Sequence, residues 1–100
     1  MVHLVVEWAV LRLPTGERRL IGVNKETREV LISDPVDGFW PGQRLIADSS
    51  GQHYILTDTG LVSVPARRAW REWCRDHGEP GFREVTEEYE DALNAAGAQK

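Results

Sequence analysis

The sequence predicts an α+β fold: an N-terminal antiparallel β-meander of about six short strands, followed by two C-terminal amphipathic α-helices. Three observations predict it. Apolar residues alternate at period two from Val2 to Val10, turn signals recur at close spacing as far as Gly60, and from Pro65 the apolar spacing becomes helical. At 100 residues the chain has the usual size of one domain. It divides into a β-rich body over residues 2–64, a basic helix over 65–78 and an acidic helix over 80–97.

In the first strand Val2, Leu4, Val6, Trp8 and Val10 form one apolar face, with His3 and Glu7 on the other. Pro14-Thr15-Gly16-Glu17 then supplies a turn that leads into a second strand, Arg18 to Val23. Asn24 to Thr27 is a polar turn before a third strand, Glu29 to Ser33. From Asp34 to Gln43 the pairs Asp34-Pro35, Asp37-Gly38 and Pro41-Gly42 predict an irregular loop, with Phe39 and Trp40 covering one end of the sheet. Arg44 to Ala47 and Gln52 to Thr57 flank a second hairpin turn, Asp48-Ser49-Ser50-Gly51, and Leu61 to Val64 follows as a last strand. Such a meander forms either a curved sheet or a small SH3-like barrel.

Ala66, Ala69, Trp70, Trp73, Cys74 and His77 fall on one helical face, between Pro65 at the start and Gly78 at the stop. Arg67, Arg68, Arg71 and Arg75 are left for the outer surface. Phe82, Val85, Tyr89, Leu93 and Ala96 share a face of the second helix, whose early turns carry Glu84, Glu87, Glu88 and Asp91.

Composition narrows the functional classes. Hydrophobic residues at 41% and charged residues at 28% are enough for a packed core and exclude a disordered chain. The N-terminus has no secretory-signal pattern, no apolar run reaches the roughly 20 residues needed to span a bilayer, and the single cysteine cannot form an internal disulfide. A cytoplasmic protein with no membrane partner is expected. The net charge of -4 argues against a surface built throughout to grip nucleic acid.

Asp58-Thr59-Gly60 after an apolar strand resembles the active-site loop of aspartic proteases, in which two such aspartates share a proton. That family needs a glycine-rich flap after the loop. The residues after Gly60 are mostly helical, so the tripeptide reads as a turn. Cys74 and His77 have a metal-like i, i+3 spacing, but zinc takes three or four protein ligands and the other histidines, His3 and His53, are remote in sequence. Phosphate-cradling glycine motifs, metalloprotease motifs and nucleophile elbows are absent, so no catalytic residue, metal or cofactor is assigned.

Binding is the remaining class. In size, acidity and lack of catalytic signature the chain is similar in general character to small accessory proteins of phages and plasmids, including anti-CRISPR-type inhibitors. The expected partner is another protein, bound through the two charged helix faces and the Phe39-Trp40 loop. The alternative is a nucleic-acid-binding small barrel with Arg67, Arg68, Arg71 and Arg75 on phosphates, and a small hydrolase ranks third. An ordinary solvated face paired with the acidic second helix accounts for the same arginines. An exposed sheet edge also allows a homodimer.

Overall fold

The computed structural model describes residues 2–57 and 61–98. Strands β1 (Val2–Arg12), β2 (Arg18–Asn24), β3 (Val30–Ile32), β4 (Val36–Trp40), β5 (Leu45–Asp48) and β6 (His53–Leu56) come first. Helix α1 (Val64–Asp76), a two-residue strand β7 (Arg83–Glu84) and helix α2 (Thr86–Ala98) follow. The fold is α+β, with strands first and helices last.

The strands form one open sheet in the order β3-β2-β1-β6-β5-β4, with β7 added to the end of β1. It is mixed rather than a simple meander, because β1 and β6 run parallel, pairing Val2 to Val5 with His53 to Leu56. The remaining pairs are antiparallel. Strands β3 and β4 are the two edges.

The unbroken apolar face expected along β1 breaks at Glu7. This residue takes φ 51, in the left-handed region, and the register with β2 slips between Val6 and Ala9. One extra residue on β1 makes a bulge, and side-chain parity inverts across it. Val5 and, beyond the bulge, Trp8 and Val10 therefore enter the same core, whereas Val2 is exposed and Leu4 and Val6 are half-buried. Gly22 lies opposite the bulge, where a Cβ would stand 2.7 Å from Val5 Cγ1 and 3.2 Å from Trp8 Cα.

A sheet with two apolar faces needs a cover on each, and the helices provide them separately. On one face Trp8, Val10, Leu20, Ile46, Tyr54 and Leu56 pack with Val85, Tyr89 and Leu93, the last two from α2. On the other, Ala9, Leu11, Leu13 and Ile21 pack with Ala66, Trp70 and Cys74 of α1. Helix α2 is tied to β1 where Val10 N–H donates to the buried Thr86 Oγ1 at 3.0 Å and Val85 N–H to the Val10 carbonyl at 2.9 Å.

Three segments differ from the sequence expectation. The stretch expected as an irregular loop from Asp34 to Gln43 contains β4 and a short 3-10 turn, Pro41–Gln43, because Val36 to Trp40 pairs antiparallel with the next strand, β5. Leu61 to Val64 is not a strand: Ser63 caps α1 by accepting from Ala66 N–H, and Val64 and Pro65 begin the helix. The acidic helix starts at Thr86, not at residue 80, since Arg83 and Glu84 pair with β1 instead. Phe82 thereby leaves the α2 face.

Candidate functional site

Helix α1 seats Ala66, Trp70 and Cys74 on the sheet, so Arg67, Arg68, Arg71 and Arg75 stand outward and exposed, as their spacing predicts. Arg67 reaches Glu84 at 3.4 Å and Arg75 lies 3.8 Å from its neighbour Asp76, both pairs in solvent. Arg68 and Arg71 have no carboxylate partner among the described residues. The expected pairing of this basic face with the acidic helix does not form. The helices occupy opposite faces of the sheet, and Glu84 belongs to β7.

Apolar groups border the arginines. Phe82 is 44% exposed, and it lines a small pocket with Val62, Arg67, Trp70 and Arg71. Leu61 and Val64, which flank Val62 closely in the chain, are also exposed. Trp70 is 1% exposed, yet its indole N–H finds no acceptor among the described residues. A buried donor left unpaired is costly unless a bound group satisfies it.

An aromatic stack underlies this surface. The Phe82 ring meets Trp70 nearly edge-on at 5.6 Å, Trp70 stacks on Trp73 at 5.1 Å and 6°, and Trp73 stacks on His77 at 4.1 Å. The Arg19 guanidinium covers Trp73 at 4.5 Å, held in turn by Glu17 at 2.7 Å and the Ser33 carbonyl at 3.0 Å. His77, expected on the core face, is exposed and its Nδ1 lies 2.8 Å from the Trp73 carbonyl.

The remaining candidates separate. Phe39 is turned inward against Tyr89, with ring centroids 4.6 Å apart, whereas Trp40 is 47% exposed on edge strand β4. They do not form the single exposed aromatic pair expected of a loop, because successive strand residues face opposite ways. On α2, Glu88 pairs with Arg18 at 3.2 Å, while Glu87 and Asp91 are exposed and form no ion pair among the described residues.

Cys74 is buried, and burial, followed by the nearby Glu79, pushes its thiol up, so it is a poor nucleophile. Asp58 lies outside the described residues, as do Thr59 and Gly60. Among the described residues, no three His, Cys, Asp or Glu side chains are grouped to hold a metal ion, and no helix is long and apolar enough to cross a membrane. The chain matches no family model, no curated protein and no solved structure.

Proposed function

We propose that this chain is a non-enzymatic binding domain that recognises another protein through the outer face of α1, with Arg68 and Arg71 contacting carboxylates and Phe82 and Val64 burying apolar surface. The observation that carries the reading is the exposure of Arg68 and Arg71, without carboxylate partners among the described residues, beside exposed apolar side chains on a stacked aromatic support. Charge there serves steering and specificity, and the apolar border provides area that an association can bury. The partner surface is accordingly acidic, with an apolar patch at its side. A cytoplasmic protein is in keeping with the lone, buried Cys74 thiol.

A second reading has one observation in its favour: Phe82 lies among arginines, a combination that also suits single-stranded nucleic acid. Glu72 and Asp76 interrupt the arginine face, and the chain is acidic overall, so the protein partner ranks first. Pull-down from the native host lysate, with and without nuclease, separates the two. One protein recovered in both arms by the unaltered chain, and lost with Arg68→Glu/Arg71→Glu, supports the first reading. Recovery abolished by nuclease supports the second. Undiminished recovery by the double variant removes α1 from the interface.

A further inference from the structure

Arg12 is flanked on both sides by arginine. In the β1–β2 ladder its partner is Arg18, and in the β1–β7 ladder it is Arg83, so three guanidinium-bearing residues occupy one row across three strands. Cross-strand neighbours in register leave a sheet on the same face, and like charges placed so are destabilising. Of the three, only Arg18 is compensated among the described residues, by Glu88 at 3.2 Å and by a hydrogen bond to the Tyr89 hydroxyl at 3.4 Å. Arg12 and Arg83 are exposed and form no ion pair among the described residues. Beyond this row β1 and β7 part, and an open groove of about 340 Å³ lies between Leu13-Pro14 and Gly81-Phe82, lined also by Arg12 and Arg83.

We propose that this groove binds a phosphate group held between the Arg12 and Arg83 guanidinium groups. Paired arginines match the geometry and charge of a phosphate, and a dianion cancels the repulsion that the row otherwise carries. The pocket wall suits the approach of such a group, since a Cβ at Gly81 would meet nothing within 4 Å. The ligand is one phosphate group rather than a polyanion. The acidic first turn of α2, with Glu87 and Glu88, follows closely after Arg83 and repels an extending strand of charge. Phe82, half-exposed at the rim, offers a ring surface to whatever the phosphate is attached to. The groove shares Phe82 with the α1 face, but the phosphate contacts are Arg12 and Arg83 and do not depend on the reading given for that face.

The test is calorimetric titration of the full chain with inorganic phosphate against chloride at equal ionic strength, repeated with adenosine monophosphate and with a short single-stranded oligonucleotide. Saturable phosphate binding is expected, weakened about tenfold or more in Arg12→Gln and in Arg83→Gln but unchanged in Lys25→Gln, which removes an exposed cation from the turn after β2. Tighter binding of the mononucleotide, reduced by Phe82→Leu, identifies a nucleotide as the source of the phosphate. Equal affinities identify free phosphate. The proposal is overturned if phosphate and chloride act alike, if binding survives both arginine variants, or if the oligonucleotide binds far more tightly than either small ligand.

Discussion

The Tyr54 hydroxyl donates to Asp48 Oδ2 at 2.8 Å, inside a sheet that leaves Asp48 only 3% exposed. The same carboxylate accepts from the Asp34 amide at 3.2 Å, and its Oδ1 from the Ser50 hydroxyl and the Ser50 and Gln52 amides at 2.6–3.0 Å. Burial pushes this carboxyl up, but the donors from Ser50, Tyr54, Gln52 and Asp34 outweigh it and hold it below its ordinary value. Asp48 thus pins the β5–β6 turn to the bend between β3 and β4.

Asp48→Asn places an amide N–H₂ among donors and is expected to cost about 1–3 kcal/mol at neutral pH. The lowered folded-state value fixes the pH dependence. The stabilisation from Asp48 is complete above the unfolded value near pH ~4 and disappears as pH falls through the lower folded value. Urea unfolding from neutral to acid pH checks this: the gap between the two proteins should narrow with acidification. A gap that stays constant to the lowest pH contradicts the linkage.

Gly22→Ala tests the bulge. The added methyl would meet Val5 Cγ1 at 2.7 Å, the Val6 carbonyl at 3.1 Å and Trp8 Cα at 3.2 Å, and two of these are backbone atoms that cannot step aside. Destabilisation of about 1–3 kcal/mol is expected, the cost typical of overpacking. A Glu7→Gly variant should lose less, because glycine adopts φ 51 without strain and this offsets the loss of the exposed Arg28 ion pair. Equal loss in both variants would show that the bulge does not govern the site.

The bulge also shows what the sequence could and could not reveal. Helix α1 was readable because Ala66, Trp70 and Cys74 recur at 3.6-residue spacing, and that local period puts the arginines outside. The period-two run from Val2 to Val10 was equally local, yet Glu7 in a left-handed conformation reverses which residues are buried, and a charged residue gives no signal of that. Strand β4 was hidden by Pro35, Gly38 and Pro41, turn formers that a partner strand overrides. The parallel β1–β6 pairing and the placing of Arg83 beside Arg12 depend on long-range register, so the residues involved lie far apart in the sequence.

Cys74 gives a prediction about accessibility. A thiol buried under α1 and pushed up by burial should react slowly with a thiol reagent in the native protein and rapidly in urea. The native rate should rise with denaturant, since labelling waits for opening of the helix. Rapid native labelling would show that α1 does not stay seated on the sheet and would remove the support assumed for Arg68 and Arg71.

Phe39 and Trp40 should respond oppositely to truncation, although they are adjacent. Phe39 packs on Tyr89 and belongs to the cover between β4 and α2, so Phe39→Ala should cost about 1.5–3 kcal/mol, less than a fully buried ring because the site is half-buried. Trp40 projects from the sheet edge, its ring folded back over Gly38, and Trp40→Ala should change stability by no more than about 1 kcal/mol. If edge strand β4 contributes to binding, partner capture falls in Trp40→Ala while its unfolding midpoint is kept. Capture that is unchanged in Trp40→Ala yet lost in Arg68→Glu/Arg71→Glu confines the interface to α1. Because Trp40 lies on edge strand β4 and the two arginines on helix α1, the two variants measure separate surfaces, and their effects on capture should add in free energy if one partner spans both.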